Sequence, residues 1–305
     1  MAGVTIELVA GIDVGGTRVK SMLVDSDGSI VLSHTAPTPP RPGNGVVDVI
    51  TETVSGLLES ARVEGIDGVL GAVGAVVPGL VDETTGSANW SANLGWRDLP
   101  LRQRLQERFD VPVAMGHDVR AGLLAEFRLG AAQGAPDALF VALGTGIASA
   151  LLAGGRVVAG SEWAGEVGHV IVERDGPLCG CGRHGCLEAV ASAAALGRAW
   201  RNLGRAGDAA TLSQAVDDGD PEAIRIWEGA IDQLVQVIAP VCAAAGTRLL
   251  LLGGGLALAG DTLLDPLRDG LVHAIGHERV TVTRAALGDR AAALGATLLA
   301  MEATA

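Results

Sequence analysis

Four side chains of the kind that hold a metal fall within eighteen residues: His169, Cys179, Cys181 and Cys186. Three thiolates and one imidazole form the donor set of a tetrahedral structural zinc site. Gly180 and the run Gly182-Arg183-His184-Gly185 allow the backbone to fold tightly around an ion, and three of the chain's four cysteines lie here. The competing reading is buried or disulfide-bonded thiols, but tight cysteine spacing in a chain of intracellular character favours metal. His184 competes for the fourth position; the longer reach from His169 makes the better loop. Glu166 and Glu188 bracket this segment. Elsewhere such a pair would be solvated surface, but beside a rigid metal loop two carboxylates suit the vicinal hydroxyls of a polyol.

A second kind of chemistry is written in Gly11–Lys20, GIDVGGTRVK. Asp13 ends an apolar strand, and Gly15, Gly16 and Thr17 form a turn that a ligand can approach closely. A phosphate loop of the GxxxxGK[ST] type leads into a helix, whereas here a second strand follows. A hairpin with an acid beside it fits nucleotide phosphates with Mg²⁺, an ion that keeps several waters while bridging phosphates and few carboxylates. Gly144-Thr145-Gly146 is a matching turn, and Gly253-Gly254-Gly255 is a third. One such turn is commonly a turn and nothing more; three at strand ends point to a nucleotide. Asp118, at a strand end before a helix, is the candidate general base, with helix capping as its competing role. Lys20 is the only lysine in the chain, and composition alone gives it no role.

The elements that must position these groups alternate between strand and helix. Leu8–Val24 and Ala138–Leu152 share a strand–glycine turn–strand layout about 130 residues apart, a spacing that suggests two related α/β halves. Thr35–Gly45 is a surface loop by its Pro and Gly content. Val46–Arg62 is helical, Val69–Val77 a buried strand, Leu99–Phe109 a helix, and Val111–Met115 a strand stopping just before His117-Asp118. Val119–Gly130, Ala189–Leu203 and Pro221–Ala245 are helical, the last with a first-turn proline. Thr247–Leu252 is an apolar strand, Arg290–Met301 a closing helix, and Cys242 a core residue. Such alternation implies mostly parallel sheets with ligands at the carboxyl ends of the strands.

Composition narrows the classes. The chain has 305 residues, 49% of them hydrophobic and 3% aromatic, with 44 glycines and a formal charge of −13. That length suits two lobes, and cores must be built from Ala, Val and Leu. The acidic balance argues against nucleic acid or an anionic membrane as a partner. The apolar runs are glycine-broken and too short to span a bilayer. Met1 leads almost directly into strand-like residues, so no secretory leader is expected, and a cytoplasmic protein is.

Taken in order, several motifs resemble those of the ROK family of sugar kinases: GIDVGGT at Gly11–Thr17, VPGLVD at Val77–Asp82, NLGW at Asn93–Trp96 and the Asp of HDVRAG. The series continues with GTGI at Gly144–Ile147, GEVGH at Gly165–His169, CGCGRHGCLE at Cys179–Glu188 and LGGG at Leu252–Gly255. The resemblance covers nearly the whole chain. It implies an actin-like ATPase (duplicated RNase H-like) α/β fold with two lobes around a cleft and a zinc loop. The smaller lobe would comprise residues 1–118 plus 288–305, and the larger 119–287, with the dimer contacts. It also implies ATP, Mg²⁺ and structural Zn²⁺ as cofactors, a hexose as substrate, and a homodimer or homotetramer. The hexose would be phosphorylated at the 6-hydroxyl, glucose to glucose 6-phosphate, with Asp118 taking the proton. Asn93, His117, Glu166, His169 and Glu188 would meet the sugar, His169 holding zinc with one ring nitrogen and facing sugar with the other.

Three departures stand out. The family usually has Asn where this chain has His117, so the preferred sugar is open to another hexose or an N-acetylhexosamine. The second turn continues Ile147-Ala148-Ser149-Ala150 in place of further glycine, and Arg18 replaces a frequent Lys. A sugar-sensing regulator without catalysis is a further alternative. Regulators in the family carry a helix-turn-helix ahead of the kinase-like region, for which a nucleotide motif beginning by Gly11 leaves no room.

Overall fold

The structure is a computed structural model that describes residues 6–276 and 280–304. The chain divides into two compact α/β units. One comprises Met1–Ala125, Ala159–Trp163 and Asp289–Ala305; the other comprises Glu126–Val158 and Ala164–Gly288.

In the first unit, β1 (Ile6–Val14), β2 (Arg18–Asp25) and β3 (Ile30–Pro37) form an antiparallel meander. Helix α1 (Val46–Val63) then crosses to β4 (Gly68–Val77), which lies parallel to β1. Short strands β5 (Leu80–Asp82), β6 (Ser87–Trp90) and β7 (Arg97–Leu99) make a separate small sheet. Helix α2 (Leu101–Gln106) leads to β8 (Val113–His117), parallel to β4, and α3 (Asp118–Leu129) follows without a gap. The resulting order is β3-β2-β1-β4-β8. Val46, Ile50, Val54, Leu57 and Ala61 of α1, at helical spacing, bury one face against Leu8, Ala10, Ile12 and Val14 of β1.

The second unit repeats the plan. β9 (Ala138–Leu143), β10 (Ile147–Ala153) and β11 (Arg156–Val157) are antiparallel neighbours. Helices α4 (Leu187–Ala191), α5 (Ala193–Asn202), α6 (Ala209–Asp217) and α7 (Pro221–Ala245) follow. β12 (Leu249–Gly253) runs parallel to β9; after α8 (Asp261–Ile275), β13 (Thr281–Arg284) lies parallel to β12. The order β11-β10-β9-β12-β13 has the same succession of polarities as the first sheet. Glu126 is fully buried here, yet it accepts the N–H groups of Ala131, Ala286 and Leu287, which is how a buried carboxylate is made tolerable.

The last helix, α9 (Ala291–Thr304), belongs to the first unit and packs on β1, β4 and β8. It lies close because the sheet omits side chains beneath it. A Cβ on Gly11 would strike Thr297 and the Ala293 carbonyl, and one on Gly74 would strike the Ala296 carbonyl. No described helix is long and apolar enough to cross a membrane.

Several element boundaries differ from the sequence reading. The helix expected over Leu99–Phe109 is only Leu101–Gln106, because Leu99 pairs with Ala88 in the small sheet. The strand expected at Val111–Met115 runs Val113–His117, so His117 is a strand residue pairing with Val77. Thr35–Pro37 continue β3 and are not loop. The helix expected over Ala189–Leu203 breaks at Ser192, whose backbone is extended and whose Oγ accepts the Ala195 N–H. The strand expected at Thr247–Leu252 starts at Leu249, and α6 and α8 carried no expectation.

Candidate active site and metal centre

Asp13 is the penultimate residue of β1 and stands opposite Lys20 of β2. Its Oδ2 lies 3.5 Å from Lys20 Nζ, while its Oδ1 is buried with no hydrogen-bond partner. Burial, then the negative charge of Asp118, pushes the Asp13 carboxyl up to about 7; Lys20 opposes this and Asp289 adds slightly to it. The hairpin turn that follows is closed by the Gly15 N–H donating to the Arg18 carbonyl at 3.0 Å. Thr38 braces it from outside, its Oγ donating to the Gly15 carbonyl and its N–H to the Thr17 carbonyl. Gly16 and Thr17 are exposed at its tip.

Asp118 opens α3, and its Oδ1 accepts the Val119 N–H at 2.8 Å. The same N–H approaches His117 Nδ1 at 3.2 Å, and that nitrogen is 3.3 Å from Asp118 Oδ1. His117 is 2% exposed. Two residues that sequence reasoning passed over hold this junction. Glu83 Oε1 accepts the His117 backbone N–H at 2.9 Å and Arg120 Nε–H at 2.8 Å. Arg120, 3% exposed, also donates to the Val81 carbonyl. A buried Arg two residues past an Asp is a visible signal, but its partner lies 37 residues earlier and is not. Asn93 sits exposed on a turn fixed by the buried side chains of Leu94 and Trp96.

In the second unit, His169, Cys179, Cys181 and Cys186 bring their ligand atoms within 4.8 Å of one another. Cys179 Sγ is 3.6 Å from His169 Nδ1, and Cys181 Sγ is 3.6 Å from Cys186 Sγ. A tetrahedron with metal–sulfur bonds of about 2.3 Å has edges of about 3.8 Å, while a disulfide would need about 2.05 Å; all four cysteines are free. Burial pushes the Cys179 thiol up to about 12, whereas at Cys181 burial is outweighed by hydrogen bonds, chiefly from Arg183, and the thiol is lowered. A cation among the sulfurs would favour ionising Cys179 as well. The donor set therefore fits zinc. His184 faces elsewhere, its Nδ1 3.0 Å from the Gly176 carbonyl.

The GEVGH segment is positioned by missing side chains. A Cβ on Gly165 would strike the Ser149 carbonyl and one on Gly168 the Ile147 carbonyl, both on β10. Pressed there, the segment places Glu166 Oε2 3.6 Å from His169 Nε2, so the ring points one nitrogen at the Cys179 sulfur and the other at a carboxylate. Glu188, in the first turn of α4, accepts the Ile147 N–H through Oε2 at 3.0 Å, and its Oε1 lies 3.7 Å from Cys179 Sγ. It thus ties the metal cluster to the Gly144-Thr145-Gly146 turn.

The glycine turns separate on inspection. Gly253 has no room for a Cβ because the Phe140 ring occupies it, and Gly254 abuts the Leu143 backbone at a φ of +80°. Those two are explained by packing. Gly16 and Gly255 meet nothing within 4 Å, leaving open backbone of the kind that admits phosphate oxygens.

A twice-built sheet with a glycine hairpin at each centre, a carboxylate between strand and helix and a Cys₃His cluster define a duplicated α/β fold with a metal-type loop. The chain belongs to the ROK family, whose model matches residues 9–303. It is similar to the glucokinase of Streptomyces coelicolor, 31% identical over 318 aligned positions that cover 97% of this chain and 98% of the relative. It is also similar to the N-acetylmannosamine kinase of Salmonella typhimurium, 28% identical over 95% of this chain and 97% of the relative. Among solved structures, a ROK glucokinase from Streptomyces griseus in complex with glucose and AMPPNP superposes with a TM-score of 0.82. It is 30% identical, with 97% of this chain and 99% of that one covered. The relatives are sugar kinases, and the fold is that of a ROK kinase.

Proposed function

We propose that this chain is an ATP-dependent hexose kinase of the cytoplasm that converts glucose to glucose 6-phosphate. The observation that carries the proposal is Asp118, a carboxylate where β8 passes into α3, whose negative charge acts on the buried Asp13. The sugar's O6 attacks the γ-phosphorus, Asp118 accepts the hydroxyl proton, and the bond to ADP breaks. Such transfer asks for alignment, a proton acceptor and charge neutralisation, with little covalent work by the protein. Asn93, His117, Glu166, His169 and Glu188 take the remaining hydroxyls. The turns at Gly15-Gly16-Thr17, Gly144-Thr145-Gly146 and Gly253-Gly254-Gly255 offer backbone to the nucleotide.

Asp13 fits a role toward Mg²⁺, because its orphaned Oδ1 has the acceptor a metal-bound water would satisfy. When bound, that ion neutralises phosphate charge. Zinc in the Cys₃His cluster would fix the direction of the His169 ring. We assign the chain to a homodimer or homotetramer, supported by Val170, Ile171 and Leu178, large apolar side chains left exposed near that cluster; sedimentation velocity checks it.

A sugar panel with ATP and Mg²⁺, read by ADP release, tests the function. Turnover with glucose above the others is expected, and no turnover with any sugar ends the proposal. An N-acetylhexosamine is the second reading. It is favoured by the buried His117, in place of the family's Asn, and by the similarity to an N-acetylmannosamine kinase.

A further inference from the structure

The reaction just described gives Lys20 no part, yet this single lysine is built into the acidic site. It occupies the rung of β2 opposite Asp13, so both side chains leave the same face of the sheet. Its ammonium holds Oδ2 of a carboxylate that is 4% exposed, while Oδ1 is left bare. A carboxylate buried this deeply ordinarily has both oxygens satisfied; here one is held and one is open. Asp118 and Asp289 add negative charge to the surroundings of Asp13, and Lys20 is the cation set against them. With all groups ionised, three carboxylates and one ammonium carry a net charge of −2. Without the ammonium the same ionised groups would carry −3, a stronger attraction for a free divalent ion.

We propose that Lys20 is a positioning residue that makes metal entry depend on the nucleotide. By holding Oδ2 and cancelling one negative charge, it keeps the acidic site from retaining a free divalent cation. The ion then arrives with a polyphosphate, whose own charge outweighs the ammonium. The inference rests on the kinase reading above and deepens it.

Mn²⁺ binding to the full-length protein, measured by calorimetry without sugar or nucleotide, tests it directly. Lys20→Met is expected to bind free Mn²⁺ about tenfold more tightly than wild type or more, as the loss of a unit charge a few ångströms away implies. Its affinity for ATP without metal is expected to fall. Lys20→Arg keeps the charge and should match wild type in both, a result that mere loss of packing would not produce. Should Lys20→Met fail to fold, the lone lysine permits the same comparison on wild-type protein. Acetylation of Lys20 should reproduce the tighter Mn²⁺ binding, and reductive dimethylation, which preserves the charge, should not. Unchanged Mn²⁺ affinity on removing the charge by either route overturns the inference. A wild type that turns over no sugar breaks the kinase reading instead, and the two failures are read in separate experiments.

Discussion

The two central hairpins share a backbone and differ in what it carries. Asp13 and Lys20 face each other across β1 and β2, whereas the corresponding rung of β9 and β10 pairs Ala142 with Ala148. The first turn is braced by a hydroxyl, Thr38, and the second by a carboxylate, Glu188, reaching from beside the Cys₃His cluster. The two units therefore share a backbone plan, and a facing pair of charges stands across only one of the hairpins. The second hairpin keeps a neutral rung and takes its rigidity from a metal-type loop. The lesson is that one topology presents the same backbone turn twice, while individual side chains decide which copy carries a facing pair of charges.

The largest effect should come from breaking the second unit's anchor. Stripping metal with a strong chelator, or Cys186→Ser, removes a site of a kind that contributes on the order of 10–16 kcal/mol of apparent binding energy in small zinc domains. Wild type should carry one zinc per chain by elemental analysis. After stripping, amide exchange should quicken across Val167–Leu187, while β1 and β4 stay protected. Uniform loss of protection in both units would mean that the cluster is no local anchor. Asp118→Asn makes the complementary break: kcat should fall by about 10²–10⁴, with zinc content and melting temperature unchanged. A variant as active as wild type would remove the assigned base.

The parts of the molecule legible in sequence are those whose partners lie nearby in the chain. The glycine hairpins announce themselves by apolar runs either side of a turn, and the Cys₃His quartet by spacing within a single loop; the structure brings all four of its members together. Asp118 was visible from its place between a strand and a helix. What stayed hidden depends on distant partners. Nothing local shows that Gly253 makes room for Phe140, a residue 113 positions earlier, or that Glu83 reaches the amide of His117. The break at Ser192 was hidden for the opposite reason, since Ala189–Leu203 reads as one apolar helix until a capping hydroxyl interrupts it.

Glu83 and Arg120 sharpen the comparison at a finer scale, because they brace the first unit's acid as Glu188 braces the second unit's turn. Glu83→Ala removes the oxygen that accepts both the Nε–H of Arg120, 3% exposed, and the His117 amide. Hydrogen bonds to charged groups are worth about 1.5–3 kcal/mol, so the melting temperature should drop by several degrees. kcat should fall about tenfold with KM for sugar nearly constant, since the His117 amide loses the acceptor that sets the β8–α3 turn. A fall in stability with kcat intact would make the pair a packing feature alone.

The smallest expected effect tests how Glu188 itself is held. Glu188 lies on α4, a helix of five residues that ends where Ser192 turns extended. Ser192 is 1% exposed, and its Oγ accepts the Ala195 N–H at 3.1 Å as the cap of α5. The Ala193 N–H donates to the Gly144 carbonyl at 2.9 Å, so the α4–α5 corner grips the second turn from one side while Glu188 grips it from the other. Ser192→Ala should cost about 1 kcal/mol by loss of the cap, measured as a shift in denaturant midpoint at unchanged slope. If the corner positions the turn, ATP should also bind more weakly, by a few-fold, and Ser192→Asp, which restores a capping acceptor, should recover part of that loss. Stability lost without any change in ATP affinity would show that Glu188 alone sets the second cradle, and that each hairpin is braced by a single residue.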